Sequence, residues 1–105
     1  MVVAITNDSR FRPYVIGIPW CREEDYDAFV AIFVDAKDLP RTWQEFAEAA
    51  EESEKFHKEQ GYVVKRIYID PHTFPDWCRA QGYRVNANAR ARFADRTANA
   101  GNNRT

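Results

Sequence analysis

The sequence predicts an α+β fold: a small antiparallel sheet of two to three strands with about four helices, in the order β-α-α-β-α-α. Three observations carry this. Residues 14–20 alternate with a period of two, residues 61–70 form a β-branched and aromatic run, and the segments between and after them carry helical caps and apolar residues at helical spacing.

The first strand reads Tyr-Val-Ile-Gly-Ile-Pro-Trp. Tyr14, Ile16, Ile18 and Trp20 share one face, and Val15, Gly17 and Pro19 share the other, a small face that lets a neighbour pack closely. Pro19 cannot donate to a ladder, so the strand stops there or lies at an edge. Residues 2–6, Val-Val-Ala-Ile-Thr, supply a candidate edge strand.

Residues 22–36 read as the first helix. Glu23, Glu24, Asp25 and Asp27 stand at its front, where the helix dipole favours negative charge, and Tyr26, Phe29, Val30 and Phe33 lie on one face. The unbroken apolar run 28–34 has the composition of a buried strand as well. The second helix is the clearest: Thr42 with Glu45 three residues on forms a capping box, and Gly61 supplies the stop. Trp43, Phe46, Ala47, Ala50 and His57 make its inner stripe. Two antiparallel helices would return the chain to the end of the sheet where the first strand finished, which is why the strands are expected to run antiparallel.

The strand at 61–70 has partly apolar faces on both sides, Val63, Ile67 and Ile69 on one and Tyr62, Val64 and Tyr68 on the other. Beyond it, Pro75 places the next helix start near Phe74 or Pro75, because a proline in a helix interior costs about 3 kcal/mol. Gly82 ends that helix. Asn86 or Asn88 caps the last one, with Ala89 and Phe93 inward and Arg90, Arg92 and Arg96 outward. The expected organisation is a single domain over residues 1–98 and a disordered tail over 99–105.

At 105 residues the chain is one domain by size, able to bury roughly 60 to 70% of its unfolded surface. Its 7 Phe, 5 Tyr and 3 Trp furnish large core pieces. Cys21 and Cys78 are too few for a disulfide framework and match no zinc spacing, so they read as reduced, partly buried thiols. The opening residues lack the basic region of a signal peptide, and no apolar run approaches membrane-span length, so a cytoplasmic, non-membrane protein is expected.

The net charge of −1 conceals a split. Residues 1–60 hold 7 Lys or Arg against 13 Asp or Glu, whereas residues 77–105 hold 6 Arg against Asp95 alone. Such a split lets the halves attract within or between molecules, or lets each meet a different partner.

Tyr14-x-Ile16-Gly17-x-x-Trp20-x-Arg22-x-x-Asp25-Tyr26, then Asp70-Pro71-x-x-Phe74-x-x-Trp77-Cys78-x-x-x-Gly82, then Ala89-Arg90-x-x-Phe93-Ala94, resembles a group of small, functionally uncharacterised bacterial proteins. The resemblance spans roughly residues 13 to 95 and supplies no catalytic residues. Cys21 stands where that pattern has an aromatic residue.

No catalytic constellation emerges. Cys21 or Cys78 with His57 or His72 would make a thiol site, but no spacing joins them, and the four glycines are scattered singly rather than gathered in a phosphate-binding loop. The leading expectation is a small protein-interaction or regulatory module, an accessory protein of bacteria or a mobile element, acting as a homodimer. It needs no cofactor or metal, and its interaction candidates are Trp20, Arg22, Asp25, Tyr26, Trp77 and Arg79. Nucleic-acid binding by the last two helices through Arg79, Arg84, Arg90, Arg92 and Arg96 is the alternative, although the pI near 6.1 lacks the usual basic footprint. A small thiol or acid/base enzyme is the further alternative.

Overall fold

The computed structural model describes residues 14–100. Its elements are β1 (Val15–Trp20), α1 (Tyr26–Ile32), α2 (Trp43–Glu59), β2 (Val63–Tyr68), α3 (Phe74–Gln81) and α4 (Ala87–Ala98). Short 3-10 turns at Glu23–Asp25 and Ala36–Asp38 flank α1. The α+β class and the element order agree with the sequence reading, and the candidate strand at 2–6 lies outside the described residues. No described helix is long and apolar enough to cross a membrane.

The sense of the sheet differs from expectation. β1 and β2 are parallel, in register from Val15 opposite Val63 to Trp20 opposite Tyr68, and among the described residues the sheet has two strands. The reason lies in α1. The expected 15-residue helix over 22–36 is only seven residues long, because Phe33 turns extended (φ −94°, ψ 135°) and the Val34 amide donates to the Val85 carbonyl. Too short to carry the chain back along the sheet, α1 leaves it at the carboxyl end of β1. The 17 residues of α2, about 25 Å of helix, then make the whole return.

The helix boundaries follow the sequence chemistry. Thr42 Oγ1 accepts the Glu45 amide at 3.1 Å, and Asn86 Oδ1 accepts the Ala89 amide at 3.0 Å. Gly61 (φ 94°) and Gly82 (φ 77°) take the left-handed conformation that ends a helix. In both, the next residue's amide reaches back five residues: Tyr62 to the His57 carbonyl at 3.1 Å, Tyr83 to the Cys78 carbonyl at 2.9 Å.

α2 covers the face that carries Ile16, Ile18 and Trp20. Trp20 meets Trp43 edge-on at 5.8 Å between centroids, and Phe46 sits 6.1 Å away. α4 covers the small face, where a Cβ on Gly17 would lie 2.2 Å from the Ala94 carbonyl oxygen. The rest of the core sits beyond the carboxyl ends of the strands. There Cys21, Tyr26, Phe29, Phe33, Phe46, Ile69, Phe74, Cys78 and Ala89 form one buried cluster.

Two expectations about α4 are corrected. Arg90 does not face outward: its guanidinium forms a forked pair with Asp35 at 3.1 and 3.2 Å, stacked 4.4 Å over the Phe33 ring, and its side chain is 12% exposed. Nor is Asn99, the first residue of the expected tail, outside the packed structure: it is buried, like Ala98 before it. The Asn99 amide group imitates a neighbouring strand. Its Oδ1 accepts the Val15 N–H at 2.8 Å and its Nδ2 donates to the Val15 carbonyl at 2.7 Å.

Candidate functional site

The two edges of the sheet are treated differently. Within a parallel strand, the N–H and C=O of one residue point the same way, and successive residues alternate. The Ile69 amide donates to the Trp20 carbonyl at 2.9 Å, which assigns Val63, Lys65, Ile67 and Ile69 to the ladder with Ile16, Ile18 and Trp20. The outer edge of β1 is therefore carried by Val15, Gly17 and Pro19. α4 closes it: Asn99 holds both polar groups of Val15, Asp95 Oδ1 accepts the Gly17 N–H at 3.1 Å, and Pro19 has no N–H to satisfy. Its position there agrees with the edge role read from the sequence.

The outer edge of β2 falls to Val64, Arg66 and Tyr68. Among the described residues, no backbone or side-chain group pairs with their main-chain N–H and C=O. Tyr62, Val63 and Tyr68 along this strand are 47%, 48% and 37% exposed, an open strand edge bordered by apolar side chains.

A polar cluster stands at the carboxyl end of the same edge. The Tyr68 hydroxyl donates to Asp25 Oδ2 at 2.8 Å and accepts from Arg22 at 3.0 Å. Arg22 also bonds Asp25 through two nitrogens at 3.0 and 3.2 Å, with its guanidinium 4.7 Å over the Tyr68 ring. The Tyr68 hydroxyl, with Arg22, holds the Asp25 carboxyl below its ordinary range. Next along the strand, Arg66 stacks 4.2 Å over the Trp20 ring and forks onto Glu54, bonding Oε1 at 3.0 Å. Its charge is thereby neutralised by α2.

Of the interaction candidates, the structure joins Arg22 and Asp25 at this edge and places Trp20 half-buried beneath Arg66. Tyr26 is a core residue, 4% exposed, whose hydroxyl donates to the Pro40 carbonyl at 2.7 Å. Trp77 belongs to a separate aromatic group with Phe74, Tyr83 and Phe93, and Arg79 pairs with Asp76 at 2.7 Å on the exposed side of α3. Sequence reasoning missed Tyr68. The three-residue spacing of Arg22 and Asp25 was visible, but their meeting with a residue more than forty positions away depends on the parallel register.

Among the described residues no hydrogen bond joins Cys21 or Cys78 to His57 or His72. Cys21 and Cys78 are fully buried, and burial, with Asp25 nearby, pushes the Cys21 thiol up to about 12. Burial raises Cys78 as well. Such thiols stay protonated near neutral pH and make poor nucleophiles. His57 Nδ1 lies 2.8 Å from the Ser53 carbonyl within α2, and His72 is exposed in a turn closed by Asp70 Oδ1. No group of three or more potential metal ligands occurs among the described residues.

Comparison with known proteins returns no match, whether by family model, by curated protein or by solved structure.

Proposed function

We propose that this chain is a small protein-interaction module of the accessory kind, and that its docking element is the outer edge of β2, covered by the same edge of a second copy. The observation that carries this reading is the unequal treatment of the two sheet edges. One is sealed by Asn99 and Asp95, while among the described residues nothing pairs with the main-chain groups of Val64, Arg66 and Tyr68, beside exposed Tyr62 and Val63. An open, partly apolar edge is the surface to which another strand adds.

A two-fold axis at Arg66 sets Val64 of one copy opposite Tyr68 of the other and forms about six main-chain hydrogen bonds. The two Arg66 side chains meet at the axis, and their engagement with Glu54 removes most of the repulsion. At about 0.5 to 1.5 kcal/mol net per bond, set against at least about 4 kcal/mol for association, the dimer is modest and concentration-dependent.

Light scattering over a wide concentration range tests this. The mass is expected to rise from 12.3 kDa towards twice that value. Val64→Pro removes an outward donor and crowds the edge without touching the ladder to β1, so it should hold the mass at 12.3 kDa. A wild-type mass of 12.3 kDa throughout would overturn the self-pairing.

A further inference from the structure

We propose that the surface shared by α3, the residue 82–86 connector and α4 binds single-stranded nucleic acid, with Arg84, Arg92 and Arg96 on the phosphates and Tyr83 and Trp77 beside the bases. This surface shares no residue with the β2 edge, so the two proposals stand or fall separately.

The starting point is which arginines the fold uses up and which it leaves available. Arg90 is consumed by Asp35 inside the structure, and Arg79 is held by Asp76 in a pair with both side chains about three-quarters exposed. Arg84, Arg92 and Arg96 are exposed and have no carboxylate within ion-pair distance among the described residues. The nearby acid on α4, Asp95, accepts the Gly17 amide at 3.1 Å and pairs with none of these arginines. Among the described residues Arg92 and Arg96 therefore stand beside Tyr83 with no carboxylate partner, and Arg84 is exposed next to Tyr83 in the connector, on a chain whose net charge is −1.

These guanidinium groups are also positioned. Arg92 sits 5.4 Å from the centre of the Tyr83 ring and Arg96 5.6 Å from the same ring, while Arg96 lies 5.9 Å from the Trp77 ring. Arg96 is further fixed by neutral partners only, donating to Gln81 Oε1 at 3.0 Å and to the Tyr83 hydroxyl at 2.6 Å. Both guanidinium groups thus stand beside the Tyr83 ring with their charge intact, and the two hydrogen bonds of Arg96 restrain it, so that a phosphate is gripped with less loss of side-chain freedom. Tyr83 and Trp77 are half-buried, so part of each side chain beside the arginines stays accessible. Alternating cations and aromatic surface is the arrangement that tracks a single strand, with phosphates on the arginines and bases stacked between them.

Other occupants fit less well. A duplex hides its base faces and would leave Tyr83 and Trp77 nothing to stack on. The acidic face of α2 in a second copy is complementary in charge, but Lys55 and Lys58 stand among its carboxylates and offset part of the attraction.

The test is fluorescence anisotropy with a labelled twenty-nucleotide oligothymidine, run on the full chain. At about 20 mM salt, saturable binding in the micromolar range is expected, with log K falling against log salt at a slope of about −2, near 0.7 for each of three arginine contacts. Arg84→Gln combined with Arg92→Gln and Arg96→Gln should weaken binding about tenfold or more. Because Arg96 also bonds Tyr83, the double variant Arg84→Gln with Arg92→Gln, which spares those bonds, should weaken binding by several fold and lower the slope magnitude. Arg41→Gln, at the far connector, should leave it unchanged. The proposal is overturned by absence of binding at low salt or by a triple variant that binds like the wild type. It is equally overturned by a duplex of the same length binding as tightly as the single strand, or by polyglutamate competing as well as the oligonucleotide.

Discussion

Replacing Gly17 with alanine should unlatch α4 from the sheet. A Cβ at this position would sit 2.2 Å from the Ala94 carbonyl oxygen, 2.5 Å from its carbon and 3.1 Å from the Asp95 nitrogen, all main-chain atoms that cannot rotate away. Normal contact requires α4 to retreat by roughly 1 Å, since carbon and oxygen seldom pack closer than about 3.3 Å. Overpacking of this kind costs about 1 to 3 kcal/mol. The retreat also stretches the bonds from Asp95 to Gly17 and from Asn99 to Val15, each worth about 0.5 to 1.5 kcal/mol. About 0.5 to 1 kcal/mol returns from the smaller conformational freedom of alanine in the unfolded chain, leaving a net loss of about 2 to 5 kcal/mol. In urea unfolding followed by circular dichroism, that lowers the midpoint by about 1 to 2 M. Gly82→Ala provides the contrast: nothing lies within 4 Å of its Cβ, so only the strain of φ 77° remains, about 1 to 2 kcal/mol. A Gly17→Ala protein within about 1 kcal/mol of the wild type would contradict the close packing of α4 on β1.

The Asp35–Arg90 pair predicts an acid-sensitive contribution. Arg90 holds the Asp35 carboxyl below its ordinary value, so the stabilisation is complete above the unfolded pKa, near 3.9, and is lost as pH falls through the lower folded value. Asp35→Ala, which leaves Arg90 without its partner, should cost about 2 to 3 kcal/mol at pH 7, with the gap to wild type shrinking near pH 3; an equal gap at both pH values would refute the assignment. For the thiols, an aromatic disulfide reagent near pH 8 should label neither Cys21 nor Cys78 in the native chain within minutes and both after unfolding. Rapid labelling of the native protein would contradict their burial.

Local chemistry was legible in the sequence because it depends on neighbours. The caps at Thr42 and Asn86, the stops at Gly61 and Gly82, the start of α3 at Phe74 and the close face at Gly17 all rest on residues within a few positions of one another. The direction of β2 was not legible, since it turned on the length of α1. The apolar run through Val34 gave no sign that Phe33 would leave the helix and that Val34 would pair with Val85 instead. Arg90 and Asn99 failed for a related reason. Polar side chains are normally placed outside, and each is inside only because a distant group, Asp35 or Val15, meets it. The Arg22–Asp25–Tyr68 cluster needed the parallel register to exist at all, and the open edge needed both the register and the knowledge that α4 seals the other side.

Amide hydrogen exchange resolved along β2 tests the docking edge most directly. Val64, Arg66 and Tyr68 donate outward, whereas Lys65, Ile67 and Ile69 donate to β1, so the strand carries its own internal control. If a second copy pairs with this edge, the outward amides are slow at high protein concentration and quicken on dilution or in Val64→Pro, while the inward amides stay slow throughout. Outward amides that exchange rapidly at every concentration would contradict the edge as a site of self-pairing.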